Sequence, residues 1–187
     1  MMTNLNIRVP YGKSVHGQEE IKAVLNVLKT TTQMGKNVTT FEKKIARLFD
    51  KKYGLMVNSG SSALLLAMEV LELPEGSEVI TPALTFSTTV GYIVKNKLTP
   101  VFVDVEEGTY CINENKIKSL ITKKTKAIVA PHLMGNIVNW KKLAPFLKKK
   151  KIIIIEDSAD TLGATYKNKS TGHYADISIT SFYGSHI

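Results

Sequence analysis

The sequence predicts an α/β protein built on a mainly parallel sheet with helices on both faces. Two observations predict this. Short Val- and Ile-rich runs recur at residues 55–57, 79–80, 101–103, 127–130, 152–155 and 177–179, and stretches long enough for a helix separate the first five, at 62–71, 87–95, 115–121 and 140–149. Strands that alternate with helical segments imply βαβ units, and runs that are apolar throughout suit strands covered on both sides.

Two helices precede the first run. Residues 19–29 place Ile21, Val24, Leu25 and Leu28 on one helical face, and Thr39-x-x-Glu42 reads as a capping box that opens a second helix with Phe41, Ile45 and Leu48 inward. The run at 55–57 leads into Asn58-Ser59-Gly60-Ser61-Ser62 and then a helical pattern. Such a turn is a ready anion site, because unpaired N–H groups and the helix dipole face a bound charge, but an ordinary helix cap has the same composition. The run at 152–155 ends in Glu156-Asp157-Ser158. A carboxylate there either caps the next helix or holds a ring nitrogen protonated, which would need a phosphate cradle and a stacking group nearby. Phe86, in TPALTFSTT, is the candidate for the stack.

Length and charge narrow the function. At 187 residues the chain supports one good core. The net charge of +9 comes almost entirely from lysine, since Arg8 and Arg47 are the only arginines among 25 basic residues. Nucleic-acid readers favour the arginine fork, so this excess argues against a nucleic-acid partner. A general positive field suits a phosphorylated ligand. One cysteine, Cys111, permits no internal disulfide, and no long apolar run suggests a membrane span, so the expected location is the cytoplasm. His16, His132, His173 and His186 show no paired-ligand spacing, so no metal site is expected. GxSxG, GxxxxGK[ST] and GxGxxG motifs are absent. Ile187 follows directly on a strand and turn, so the sequence reads as ending in mid-domain.

Eight strings in order carry a family resemblance: VPYGKSVHGQEE, TTFEKKIARLF, NSGSSALLLAMEVL, EVITPALTFSTTV, TPVFVDVEEGTYCIN, TKAIVAPHLMGN, IIEDSADTLGATYKNKSTGHYADI and SFYGSHI. Together they resemble the DegT-type sugar aminotransferase and dehydrase family, of fold type I (aspartate aminotransferase-like) architecture. The resemblance implies that residues 1–187 hold the N-terminal segment and most of the pyridoxal-phosphate-binding large domain, without the C-terminal small domain. It puts Gly60, Ser61 and Ser181 at the cofactor phosphate, Phe86 against the ring and Asp157 at the pyridine nitrogen. Asp160 falls where many members carry a glutamine near the ring hydroxyl.

His186 stands where the family's aminotransferases carry the lysine that bonds covalently to the cofactor. Imidazole cannot form a Schiff base, so the resemblance implies pyridoxamine phosphate held without a covalent tether. The departure is itself the pattern of the family's deoxysugar dehydrases, as are Tyr183, Gly135-Asn136 and Asp160. The implied reaction is dehydration at C3 of a nucleotide-linked 4-keto-6-deoxyhexose in deoxysugar or polysaccharide biosynthesis. His186 is the implied proton-transfer group, since histidine is the side chain whose ordinary titration spans neutral pH. A homodimer is implied and a reductase partner is compatible. Two alternatives stand beside this one: a nucleotide-sugar aminotransferase whose lysine lies elsewhere, and a truncated or degenerate member without catalysis. The 187-residue piece by itself is expected to be inactive.

Overall fold

Alternation within each strand decides where the core sits. A computed structural model describes residues 9–13 and 15–186; the readings that touch residues 1–8, Ser14 and the end at Ile187 fall outside these. Two helices come first, α1 (Gln18–Thr30) and α2 (Lys36–Leu48), then α3 (Gly60–Glu69). Next come β1 (Glu78–Pro82), α4 (Ser87–Lys95), β2 (Thr99–Val103), α5 (Glu114–Leu120), β3 (Thr125–Pro131), α6 (Trp140–Lys149) and β4 (Ile153–Asp157). A short hairpin, β5 (Thr165–Tyr166) and β6 (Lys169–Ser170), precedes β7 (Ile177–Ile179). The main sheet runs β2-β1-β3-β4-β7, and every pairing in it is parallel.

Successive side chains point to opposite faces. Val79, Ala127, Val129 and Ile155 pack with Leu64, Ala67 and Met68 of α3 and Ile93 of α4. Their neighbours Ile80, Ile128, Ala130 and Ile154 pack with Ile117 of α5 and Trp140, Leu143 and Leu147 of α6. Both faces are therefore covered, as the sequence predicts. Each aliphatic side chain so enclosed contributes about 1.5–3 kcal/mol.

The N-terminal third departs from expectation in three places. α1 forms, but Ile21, Val24, Leu25 and Leu28 are between 47% and 63% exposed, and no described residue covers that face. α2 begins at Lys36 with Gly35 as its N-cap, so Thr39 lies inside the helix and opens no capping box. Glu42 instead accepts the Met56 N–H at 2.9 Å. Ala46 and Phe49 are the buried residues, Phe41 and Ile45 are half-buried, and Leu48 is exposed. Residues 55–57 form no strand, because that same Met56 N–H is committed to α2 and the segment joins no ladder. The β5–β6 hairpin went unpredicted; Lys167 and Asn168, at φ 50° and 64°, close it with the left-handed pair that two-residue turns require.

The end of α2 is locked to the loop before β7. The Lys51 amine donates to the carbonyl oxygens of Gly172 and Ala175, and burial holds its pKa below the usual lysine range. A Cβ on Gly172 would fall 2.2 Å from the Phe49 carbonyl oxygen, whereas one on Gly91, inside α4, would meet nothing within 4 Å. Gly172→Ala should therefore destabilise the protein by about 3 kcal/mol through overpacking. Gly91→Ala should stabilise it by roughly 0.5–1 kcal/mol through helix propensity. Urea denaturation of the two variants checks both signs.

Candidate active site

A parallel sheet sends every strand's carboxyl end to one edge, and ligands of open α/β sheets bind there. At this edge Phe86 follows β1, His132 follows β3, Asp157 ends β4, and Ser181 lies just beyond β7. The start of α3 reaches the same edge. A Cβ on Gly60 would sit 3.3 Å from the Ser181 Cβ and 3.7 Å from its Oγ, so glycine is what lets the helix terminus come this close.

Ser59 caps α3 by accepting the Ser62 N–H at 3.1 Å. Gly60 and Ser61 then carry first-turn N–H groups with no partner inside the helix. With the Ser181 hydroxyl close by, this corner has the donors and the dipole that a phosphate monoester needs. Ser181 Oγ also accepts the Tyr183 N–H at 3.2 Å, which shapes the turn that leads to His186.

Asp157 is half-buried at the end of β4. Its Oδ1 accepts the Ala159 N–H at 3.0 Å, and no other hydrogen bond to the carboxyl occurs among the described residues. Burial raises its pKa above the ordinary 3.8; the Ala159 N–H opposes this, the Asp160 carboxylate adds to it, and His132 and His186 oppose it. Burial thus leaves this carboxyl short of positive charge, a deficit that a protonated ring nitrogen would fill.

Asp160 is fixed by the loop after β3. Its Oδ2 accepts the Met134 N–H at 2.9 Å, while Oδ1 lies 3.7 Å from His186 Nε2, within ion-pair range and beyond hydrogen-bond length. The His186 N–H donates to the Tyr183 carbonyl at 2.8 Å, and the two rings meet edge-on with centroids 5.5 Å apart. His186 Nδ1 is buried without a hydrogen-bond partner. An imidazole with a carboxylate near one nitrogen and no partner on the other has titration chemistry uncommitted to the fold.

Two pairs thus come together among the sequence-predicted residues, Gly60 with Ser181 and Asp160 with His186, and Asp157 feels the charge of the second pair. Ser61 stands in the first turn of α3 beside the former. Phe86 shares the sheet edge, but its ring is 66% exposed and makes no aromatic contact with the others among the described residues. Sequence reasoning passed over His132, which is buried directly behind this edge with Glu156. Its only signal is a histidine placed two residues after the apolar run 127–130.

Comparison with known proteins agrees with this geometry. The sequence profile of the DegT/DnrJ/EryC1/StrS aminotransferase family matches residues 14–187. A dTDP-4-dehydro-2,6-dideoxy-D-glucose 3-dehydratase from Saccharopolyspora spinosa is 37% identical over 185 residues, covering 95% of this chain and 40% of that protein. A GDP-perosamine synthase from Escherichia coli O157:H7 is 36% identical over 177 residues, 94% of this chain and 48% of its own. Among solved structures, the E. coli GDP-4-keto-6-deoxy-D-mannose-3-dehydratase with bound hydrated PLP superposes with a TM-score of 0.82 at 35% identity, over 87% of this chain and 44% of that one. The PLP form of a sugar aminotransferase, Spr1654 from Streptococcus pneumoniae, gives 0.88 at 28% identity, over 96% and 50%. The chain therefore spans less than half the length of these two curated relatives. The order of its strands, the residues gathered at their carboxyl ends and the match over residues 14–187 make this chain a member of the DegT/DnrJ/EryC1/StrS aminotransferase family.

Proposed function

We propose that the protein is a dehydratase that uses pyridoxal or pyridoxamine phosphate to remove the 3-hydroxyl of a nucleotide-linked 4-keto-6-deoxyhexose. One observation carries this reading: the position that resembles the family's covalent lysine holds His186, and that imidazole lies 3.7 Å from the anchored Asp160 carboxylate. Relatives named as 3-dehydratases support it, and those named as GDP-perosamine synthases keep the aminotransferase reading as its rival.

The residues present fit the cofactor. Gly60, Ser61 and Ser181 would receive its phosphate in the corner that a Cβ on residue 60 would crowd, and Asp157 would receive its ring nitrogen. The exposed Phe86 ring is free to lie against the heterocycle. When bound, the cofactor supplies an electron sink for the carbanion that dehydration requires.

His186 moves the proton. The Asp160 carboxylate, 3.7 Å from Nε2, stabilises the charged ring that results. The Met134 N–H keeps Asp160 from following the imidazole, so the pair holds its orientation while the charge changes. Because imidazole forms no Schiff base, the cofactor stays exchangeable.

The complete gene product, loaded with pyridoxal phosphate and reduced with borohydride, should show no covalent adduct by mass spectrometry while still retaining cofactor. An adduct mapped to a lysine would make the aminotransferase reading the correct one. His186→Asn should lower turnover on a 4-keto nucleotide sugar by about 10²–10⁴-fold with cofactor affinity little changed. Comparable turnover by the variant would remove His186 from the chemistry.

Asp157→Asn separates binding from stability. The native carboxyl has the raised pKa, so as pH climbs from 3.8 toward that value the unfolded chain releases its proton first and the native state loses stability. Above the native pKa the deficit is constant. The cofactor-free variant, whose amide keeps an oxygen for the Ala159 N–H, should melt higher than the parent at about pH 7, with the gain vanishing below pH 3.8. It should also bind cofactor more weakly. Thermal melts across pH, with and without cofactor, read both effects.

A further inference from the structure

A second set of polar side chains lies behind the site, and its one direct bond to a proposed ligand position is through backbone, from the His132 N–H to the Asp157 carbonyl at 2.9 Å. His132 and Glu156 are both buried, with side chains fully enclosed, and His132 Nε2 stands 3.1 Å from Glu156 Oε2. The distance is that of an ion pair, although the N–H is not aligned as a hydrogen bond and neither atom has another partner. His132 Nδ1 accepts the Val138 N–H at 2.9 Å, which assigns the ring proton to Nε2, facing the carboxylate. Glu156 Oε1 accepts the Ser158 hydroxyl at 2.8 Å. The Ser158 backbone continues the chain: its N–H donates to the Ile179 carbonyl at 2.8 Å, and its carbonyl accepts the Thr180 hydroxyl at 3.1 Å.

This chain joins three pieces of the site that are distant in sequence. Val138 closes the loop whose Met134 N–H holds Asp160. Glu156 precedes Asp157 on β4, and residues 179–180 lead directly into Ser181. Buried polar groups are costly unless paired, so the polar groups of six residues meeting under one sheet edge hold the segments in a single arrangement.

We propose that His132 and Glu156 are positioning residues which, through Val138 and Ser158, fix the Asp160 loop, the Asp157 strand end and the Ser181 turn relative to one another. The assignment rests on the cofactor reading above for what those segments bind. Its geometry does not depend on that reading.

The test uses the complete gene product and two readouts: pyridoxal-phosphate affinity by absorbance titration, and amide exchange of Met134 and Val138 by NMR in the cofactor-free protein. His132→Leu keeps an apolar filling and removes both polar contacts. It should raise the cofactor Kd by about tenfold, the scale seen when supporting groups around bound metals are removed, and should speed exchange at both amides. Glu156→Gln keeps the shape and an acceptor for His132, and should stay within about threefold of the parent. Should His132→Leu fail to fold, His132→Asn serves. Its oxygen keeps the Val138 N–H but does not reach Glu156, so Val138 should stay protected while cofactor affinity still falls. Parental affinity and parental exchange in the folded His132 variant would overturn the proposal. Failure of the parent to bind cofactor would instead count against the function proposed above, and exchange at Met134 and Val138 would still decide the positioning role.

Discussion

The pairing of β3 with β4 is the constraint on which the site depends. Its register sets Ala130 opposite Glu156 and Pro131 opposite Asp157, and one further bond, from the His132 N–H to the Asp157 carbonyl at 2.9 Å, carries the ladder past the end of the strand. Side chains alternate along a strand, so a slip of one residue would exchange the two acids between core and edge. As paired, Glu156 is fully buried and Asp157 only half so. Because residues 152–155 are all isoleucine, the apolar run tolerates either register, and the buried contacts of Glu156 with His132 and the Ser158 hydroxyl are what the slip would break.

Two adjacent carboxyls thus acquire different environments. Glu156 meets a hydroxyl and an imidazole at close range, and the half-buried Lys51 ammonium is attracted to it. Asp157 has one backbone N–H and a like-charged neighbour in Asp160. Environment rather than residue type sorts acids into roles. The one enclosed between a hydroxyl and an imidazole is fit to hold structure, and the one short of positive charge is fit to receive a cationic ring.

The sheet was legible because its strands are buried on both sides and spell themselves as apolar runs. α4 and α6 fall where the spacing places them, at Ser87–Lys95 and Trp140–Lys149. Legibility failed where a contact distant in sequence overrode local pattern. Glu42 has the spacing of a capping partner but its carboxylate goes to Met56, which leaves Thr39 without a reciprocal cap and takes the Met56 N–H out of any ladder. At the site, Asp157 and His186 could be singled out from sequence motifs, and the approach of Gly60 to Ser181 follows once the sheet is assembled. His132 could not be singled out: its partners lie on another strand and beyond a loop, and no spacing rule connects them.

That loop explains why the reactive end of the site is held so indirectly. Met134 and Gly135 sit at φ 54° and 81°, and a left-handed methionine costs roughly 1 kcal/mol or more. The conformation turns the Met134 N–H toward Asp160, and that charge-assisted bond offsets the cost. Closure of the loop by Val138 on His132 keeps the strained pair from relaxing. The orientation of Asp160 is therefore set by backbone geometry in a segment that contributes no side chain to the proposed chemistry. Rigid placement of an acid–base pair is more readily obtained this way than from side-chain packing alone, since a backbone N–H has no rotamers to choose among.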